Sequence, residues 1–316
     1  MSVIRKQAFY NSSTGENEIR TLIWEDDSVD KKAVVQISHG MAEHIGRYDD
    51  FARFLASNGF VVCGNDHLGH GLSVSSEYDY GYFAEYDGDK RLVDDMHILQ
   101  LIMKKRYPSL PYFIFGHSMG SLCARVYAMH FGDEIDGTVF CGTLDIPKVS
   151  PALLPAINKL VDRFGAHADV EKIVNAVQKV QVLLTRDERA AVSWLSTNSE
   201  NWDKYEEDEM CGFPFKLGGY RDLYALACEA CGNGWADCIR KDLPIMLISG
   251  ALDPVSFNGR TAIRVGDELT IAGHTVEPIL YPGIKHEILN EKNNGLVYND
   301  ILDFLNKSCE KSEVCS

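Results

Sequence analysis

The chain has 316 residues, 45% of them hydrophobic and 24% charged, which suits one large α/β domain with an insertion or two modest domains. A formal net charge of -15 argues against nucleic acid as a partner, because neutralising phosphates takes clustered lysine and arginine, and it disfavours tight docking on an anionic membrane. The N-terminus has no apolar run fit for a signal peptide and no window approaches about eighteen apolar residues, so the expectation is a cytoplasmic protein with reduced thiols.

Stretches 8–10 and 19–24, joined by the turn-rich Asn11-Ser12-Ser13-Thr14-Gly15-Glu16-Asn17, predict an antiparallel hairpin. Residues 33–38 read as a buried strand, 48–58 as a helix with Phe51, Phe54 and Leu55 on one face and Gly59 at its end, and 60–63 as the next strand. A helix over 90–107 is followed by the apolar run 111–115, a helical segment over 118–131, and strands at 137–141 and 243–249. The stretch 276–281 is strand-like, and a C-terminal helix covers roughly 293–308. Strand alternating with helix predicts an α/β fold with a mostly parallel sheet covered on both faces. Between about 146 and 240 the pattern turns to helices without strands, with amphipathic stretches at 153–164 and 170–184 and a further candidate at 218–231. The chain thus divides into a core of 1–145 and 241–316 and a helical lid inserted over 146–240, set above the C-terminal ends of the strands, where α/β sheets carry their sites.

Gly116-His117-Ser118-Met119-Gly120 follows an apolar run and opens a helical segment. A Gly-x-Ser-x-Gly at a strand-to-helix junction presents its serine in a strained turn, and the glycines let the strand and helix backbones approach closely. A serine hydroxyl needs a base within hydrogen-bond reach and an acid to orient that base. Among ten histidines, His286 is the best base, in a short loop between the strand-like 276–281 and the last helix. The side chain of His117, inside the elbow, is expected to point away from the site. Asp253 follows the strand 243–249 and is the preferred acid, with Asp66 and Asp145 as competitors. The order Ser118, Asp253, His286 is the chain order of α/β-hydrolases. The N–H of Met119, at a helix start, and the N–H of Met41, after Gly40, are the expected oxyanion donors.

His39, His44, His67 and His70 lie close enough in sequence to suggest a metal, but no acidic residue falls at helical spacing with them. Cys228-x-x-Cys231 with Cys238 nearby lacks a second pair and reads as small hydrophobes in or near a helix. Neither a metal nor a cofactor is expected.

His39-Gly40-Met41-Ala42-Glu43-His44, Gly46-Arg47-Tyr48, Asp66-His67-Leu68-Gly69-His70-Gly71 and the serine motif, with Asp253-Pro254 and His286, resemble the monoacylglycerol lipase and lysophospholipase branch of the α/β-hydrolases, which is grouped with serine aminopeptidases. Cys211-Gly212-Phe213-Pro214-Phe215 resembles bacterial lysophospholipase-like members. The resemblance implies an α/β-hydrolase fold with a lid, a polar pocket end formed with Glu43 and Arg47 for a glycerol-like head group, and a small acyl-ester or lipid substrate. The alternative role for Glu43 and Arg47 is to brace the oxyanion loop. Met41 stands where the family's usual residue is small, which bears on the width of the acyl pocket, and the Asp66 motif reads as a structural turn.

The leading expectation is a serine carboxylic-ester hydrolase working through an acyl-enzyme, with at most transient membrane contact through the lid. Alternatives are an aminopeptidase or amidase, for which Glu206, Glu207, Asp208 and Glu209 could hold an ammonium, an acyltransferase, or a non-catalytic receptor on the same fold.

Overall fold

A computed structural model describes residues 3–145, 151–170 and 189–315. Its strands are β1 (Ile4–Asn11), β2 (Glu18–Glu25), β3 (Ala33–Ser38), β4 (Phe60–Asn65), β5 (Tyr112–His117), β6 (Gly137–Cys141), β7 (Ile245–Gly250) and β8 (Ile279–Tyr281). They form one sheet in the order β1-β2-β4-β3-β5-β6-β7-β8, antiparallel from β1 to β4 and parallel from β4 to β8.

The sheet is buried on both faces because its central strands are apolar in both phases of their alternation, with Gln36 and Thr138 as buried polar exceptions. Val34, Val61, Ile114, Phe140 and Leu247 point to one side, into a core shared with α2 (Gly88–Arg106), α3 (Met119–Phe131) and α7 (Arg260–Ile271). Their neighbours Val35, Val62, Phe113, Phe115, Val139 and Ile248 point to the other, against α1 (Asp49–Ser57) and α8 (Gly295–Cys315). Alternation with a period of two, apolar in both phases, is the signature of a sheet covered twice.

The boundaries depart from the sequence reading where the apolar pattern is silent. The hairpin pairs from Ile4 with Glu25 to Asn11 with Glu18, longer than 8–10 and 19–24, because β1 is an exposed edge strand whose Arg5, Lys6 and Gln7 show no alternation. Strand β8 starts at Ile279 rather than 276, after Pro278, which has no N–H to give a ladder. Helix α7 was not anticipated: its buried positions are only Thr261, Ala262, Val265, Gly266 and Leu269, too small and polar a stripe to stand out.

In the block 146–240, the described residues form helices α4 (Leu154–Phe164), α5 (Ser199–Glu207) and α6 (Leu217–Ala230) and no strand. Helix α5 was also missed, since Asn201 is its one buried residue; it is started by the Asn198 side chain, which accepts from the Glu200 N–H. The expected helix over 170–184 lies outside the described residues after Val170. No described helix is long and apolar enough to cross a membrane.

Candidate active site

The parallel strands end on one rim of the sheet, and the loops leaving β3, β5, β7 and β8 bring together the residues singled out from the sequence. At the end of β5 the backbone turns into α3 through Ser118, whose φ of 53° and ψ of -120° lie in a region side chains avoid. Two glycines make the turn possible. A methyl group on Gly120 would stand 2.1 Å from the Ser38 carbonyl oxygen, and one on Gly116 2.3 Å from the Gly120 oxygen. Both contacts are with backbone, which cannot step aside. Gly120→Ala is therefore expected to destabilise the protein by about 1–3 kcal/mol or more and to lower activity, measured by urea titration beside ester turnover; a variant as stable as the wild type would contradict the close approach.

Asp253 sits in the turn after β7, where its Oδ1 accepts from the Val255 N–H at 2.8 Å. Its Oδ2 lies 2.9 Å from His286 Nδ1. A carboxylate can only accept, so the ring carries its proton on Nδ1 and leaves the Nε2 lone pair bare. Nε2 is buried without a hydrogen-bond partner, and its ring lines the same cavity as Ser118. No hydrogen bond joins Ser118 Oγ to it among the described residues, as is common before substrate arrives. Burial works against a charged His286, yet Asp253, Glu287 and Glu43 together outweigh it and hold the imidazole pKa above its ordinary value of 6.5. Burial raises and His286 lowers the Asp253 pKa, with a net shift downward.

The competing acids are occupied elsewhere. Asp66 accepts from Arg20, from the Ile45 N–H and from the Leu72 N–H, a turn-building role, and Asp145 pairs with Arg264 at 2.7 Å. His117 corrects the sequence reading: its ring does not point away but lines the cavity, 4.7 Å between centroids from His286. The residue before Ser118 is the last of β5, and its side chain falls on the rim beside the β8 loop. Burial, then the neighbouring His286, push its pKa down to about 3, so it is neutral.

The loop after β3, the candidate oxyanion loop, is held at several points. Its Gly40 N–H donates to Glu43 Oε1 at 2.6 Å, and the Gly40 carbonyl meets His39 Nδ1 at 2.8 Å. The Ala42 N–H donates to His70 Nε2 at 3.2 Å. Ala42, at a left-handed φ of 52°, offers its carbonyl to the Gly212 N–H at 2.9 Å and the Tyr205 hydroxyl at 3.0 Å, both from the insertion. Between these anchors Met41 lines the cavity. Among the described residues neither the Met41 nor the Met119 N–H has an acceptor, as two donors awaiting an oxyanion require.

His39, His67 and His70 use ring nitrogens on the backbone and Ser38, and burial drives His67 to about 3 and His70 to about 4. A different group of donors, His44, Asp208 and Cys211, lies within 4.8 Å of one another. His44 Nδ1 already accepts from the Gly46 N–H at 3.1 Å and its Nε2 faces Asp208 at 2.8 Å. A neutral imidazole has one lone pair, and it is taken.

Glu43 and Arg47 do not share a cavity: Glu43 lines the cavity at Ser118, whereas Arg47 lines a neighbouring one. Arg47 is bound to Glu43 Oε2 at 2.8 Å and to both oxygens of Glu287, at 2.5 and 2.8 Å. Sequence reading overlooked Glu287, although it adjoins the base, because one carboxylate among forty-six acidic residues carries no spacing signal. Tyr205 and Trp194 were overlooked because no period in the sequence marks which residues of the insertion face the cavity; the Trp194 ring lies 5.3 Å from that of His286.

Residues 29–293 match the family model described as serine aminopeptidase, S33. The chain is 28% identical over 290 residues to the monoacylglycerol lipase of Mycolicibacterium smegmatis, across 90% of this chain and 91% of that one. It is 36% identical over 120 residues to the human monoglyceride lipase, a stretch covering 36% of this chain and 35% of that one. Among solved structures it resembles a thermostable carboxyl esterase from Bacillus coagulans in complex with glycerol, at a TM-score of 0.88 and 27% identity, covering 98% of this chain and 100% of the other.

Proposed function

The chain belongs to the family described as serine aminopeptidase, S33 and is a serine ester hydrolase of the α/β-hydrolase fold, and from that premise we propose that it cleaves fatty-acyl esters of small neutral alcohols, of the monoacylglycerol type. His286 Nε2 takes the Ser118 proton as Oγ attacks the ester carbonyl; the Met41 and Met119 N–H groups receive the oxyanion, and Asp253 stabilises the imidazolium. Collapse expels the alcohol, protonated by His286, and leaves Ser118 acylated. Water, deprotonated by the same ring, then releases the fatty acid.

The cavity at Ser118 carries this reading. It encloses about 650 Å³, within the roughly 300–1,000 Å³ typical of small-molecule sites. Its lining includes the apolar Leu144, Val192, Leu195, Phe213 and Leu223 and the polar Glu43, Tyr205 and Glu287. Residues 191, 192, 194, 195, 205, 206, 211–214, 220 and 223 of the insertion line it, which supports reading 146–240 as a lid that selects the substrate. The aminopeptidase alternative needs a free carboxylate for a substrate ammonium. Among the described residues the carboxylates lining the cavity are Glu43, Glu206 and Glu287, and each is bound to a guanidinium, of Arg47 or Arg189. A neutral head group fits such a site better than a charged amine.

A panel of monoacylglycerols, lysophospholipids, p-nitrophenyl esters of graded length and amino-acid anilides tests the proposal. Monoacylglycerols are expected to exceed the anilides in kcat/KM by about 100-fold or more, or about 2.7 kcal/mol of transition-state discrimination. Equal or faster anilide turnover would turn the assignment toward an aminopeptidase. A cytoplasmic enzyme that meets lipid transiently belongs to the same proposal, supported by Leu153, Leu160 and Phe164, which are exposed at α4.

A further inference from the structure

The residue after the proposed base is engaged in a way that ester cleavage alone does not explain. Glu287 is buried, and both its oxygens are held by one guanidinium, Arg47, in a bidentate pair. Its Oε2 also accepts from Asn201 Nδ2 at 2.6 Å and Asn290 Nδ2 at 3.0 Å. Its own N–H donates to the Leu195 carbonyl at 2.7 Å. Arg47 reaches on from Nη1 to Glu43 Oε2, and the other oxygen of Glu43 takes the Gly40 N–H and, at 2.8 Å, the Tyr48 hydroxyl. The chain of contacts therefore runs without a gap from the β8 loop that carries His286 to the β3 loop that carries Met41.

We propose that Glu287 is a positioning residue which, through Arg47 and Glu43, locks the loop of the base to the oxyanion loop, so that the proton acceptor and the oxyanion donors are set as one unit. The ends of β3 and β8 are far apart in the sheet order, with β5, β6 and β7 between them, and no hydrogen-bond ladder joins them. A bidentate guanidinium between two buried carboxylates is rigid where single side-chain contacts are not. Glu287 and Glu43 also lie near enough to the imidazole to favour its charged form. The ionisable groups around that ring are Asp253 from the β7 loop, Glu287 beside it, Glu43 from the oxyanion loop and the neutral His117 from β5. Burial lowers the His286 pKa, and Asp253, Glu287 and Glu43 raise it, in that order. Arg47, bound to two carboxylates, is thereby a brace and not a head-group ligand.

The proposal rests on the Ser118, Asp253 and His286 triad, and the experiment separates the two. Glu287→Gln, Glu43→Gln and the double variant are assayed on p-nitrophenyl butyrate, with rates divided by the sites that a fluorophosphonate labels so that misfolded protein does not count. Each single change is expected to lower kcat about ten-fold with KM within about two-fold. The double variant is expected to be no worse than the poorer single, because the two act through one relay. The acidic limb of the kcat/KM profile should move to lower pH in Glu287→Gln, which a merely structural role would not produce. If Glu287→Gln does not fold, Arg47→Lys, which keeps the charge but cannot fork to both carboxylates, is expected to show the same loss in kcat. Effects that multiply, a loss confined to KM, an unmoved pH limb, or wild-type kcat in Arg47→Lys would each overturn the relay. Were Ser118→Ala to keep wild-type turnover, the triad itself would fall, whatever Glu287 does.

Discussion

Ser118→Ala is expected to lower kcat/KM for a monoacylglycerol about 100,000- to 1,000,000-fold, or about 7–8 kcal/mol of transition-state stabilisation. The size follows from what the serine does: without Oγ no acyl-enzyme forms, and water must attack the ester directly. The Met41 and Met119 N–H groups and the cavity remain, so a residual rate of about 1,000-fold over the uncatalysed reaction should persist. Alanine removes one oxygen from a half-buried position, so folding should be preserved. The backbone must still hold its left-handed φ of 53°, and alanine bears that strain no worse than serine. Thermal melting checks the fold, initial rates check the chemistry, and loss of fluorophosphonate labelling checks the atom. A variant retaining a tenth of wild-type turnover would mean that another residue is the nucleophile.

Asp253→Asn is expected to cost about 10,000-fold in kcat while changing shape least. The asparagine carboxamide can donate to Nδ1 where the carboxylate could only accept, so the ring would shift its proton to Nε2 and lose the lone pair that takes the serine proton. The acidic limb of kcat/KM reports the same bond. Catalysis needs neutral His286, whose pKa is held above 6.5 chiefly by Asp253, with Glu287 and Glu43, against the opposing effect of burial. The wild-type limb should therefore fall above pH 6.5, and the residual activity of the variant should extend to lower pH. The stability linkage has its own signs. The raised histidine contributes stability fully below its unfolded pKa, near 6.5, and loses it as pH rises through the folded value. The depressed Asp253 contributes stability above its unfolded pKa, near 3.9, and loses it as pH falls through the folded value. A limb unmoved by Asp253→Asn would show that another group sets the base.

The fold class was legible because β3, β5, β6 and β7 are apolar in both phases of their alternation and because helices intervene between them. The pairing of Asp253 with His286 was legible from position alone, each in a loop directly after a strand. What escaped was carried by polar side chains. Helix α5 buries Asn201 and little else, so no hydrophobic period marks it, yet it supplies Tyr205 and the Asn201 contact to Glu287. The relay joins positions 43, 47 and 287, and nothing in a linear chain reports that two loops meet across three strands. His117 was misread because its place inside the elbow motif hides that it is the last residue of β5, paired with Cys141, and that its ring reaches His286 at the rim.

The Ala42 carbonyl, held by the Tyr205 hydroxyl and the Gly212 N–H, makes the insertion something other than a detachable cover. If the insertion selects the substrate as proposed, a designer exchanging it for that of a relative would also replace two contacts that hold the loop after β3. Grafts that preserve a tyrosine and a free backbone amide at these two places are expected to keep the Ala42 carbonyl held, and grafts chosen for cavity shape alone to release it.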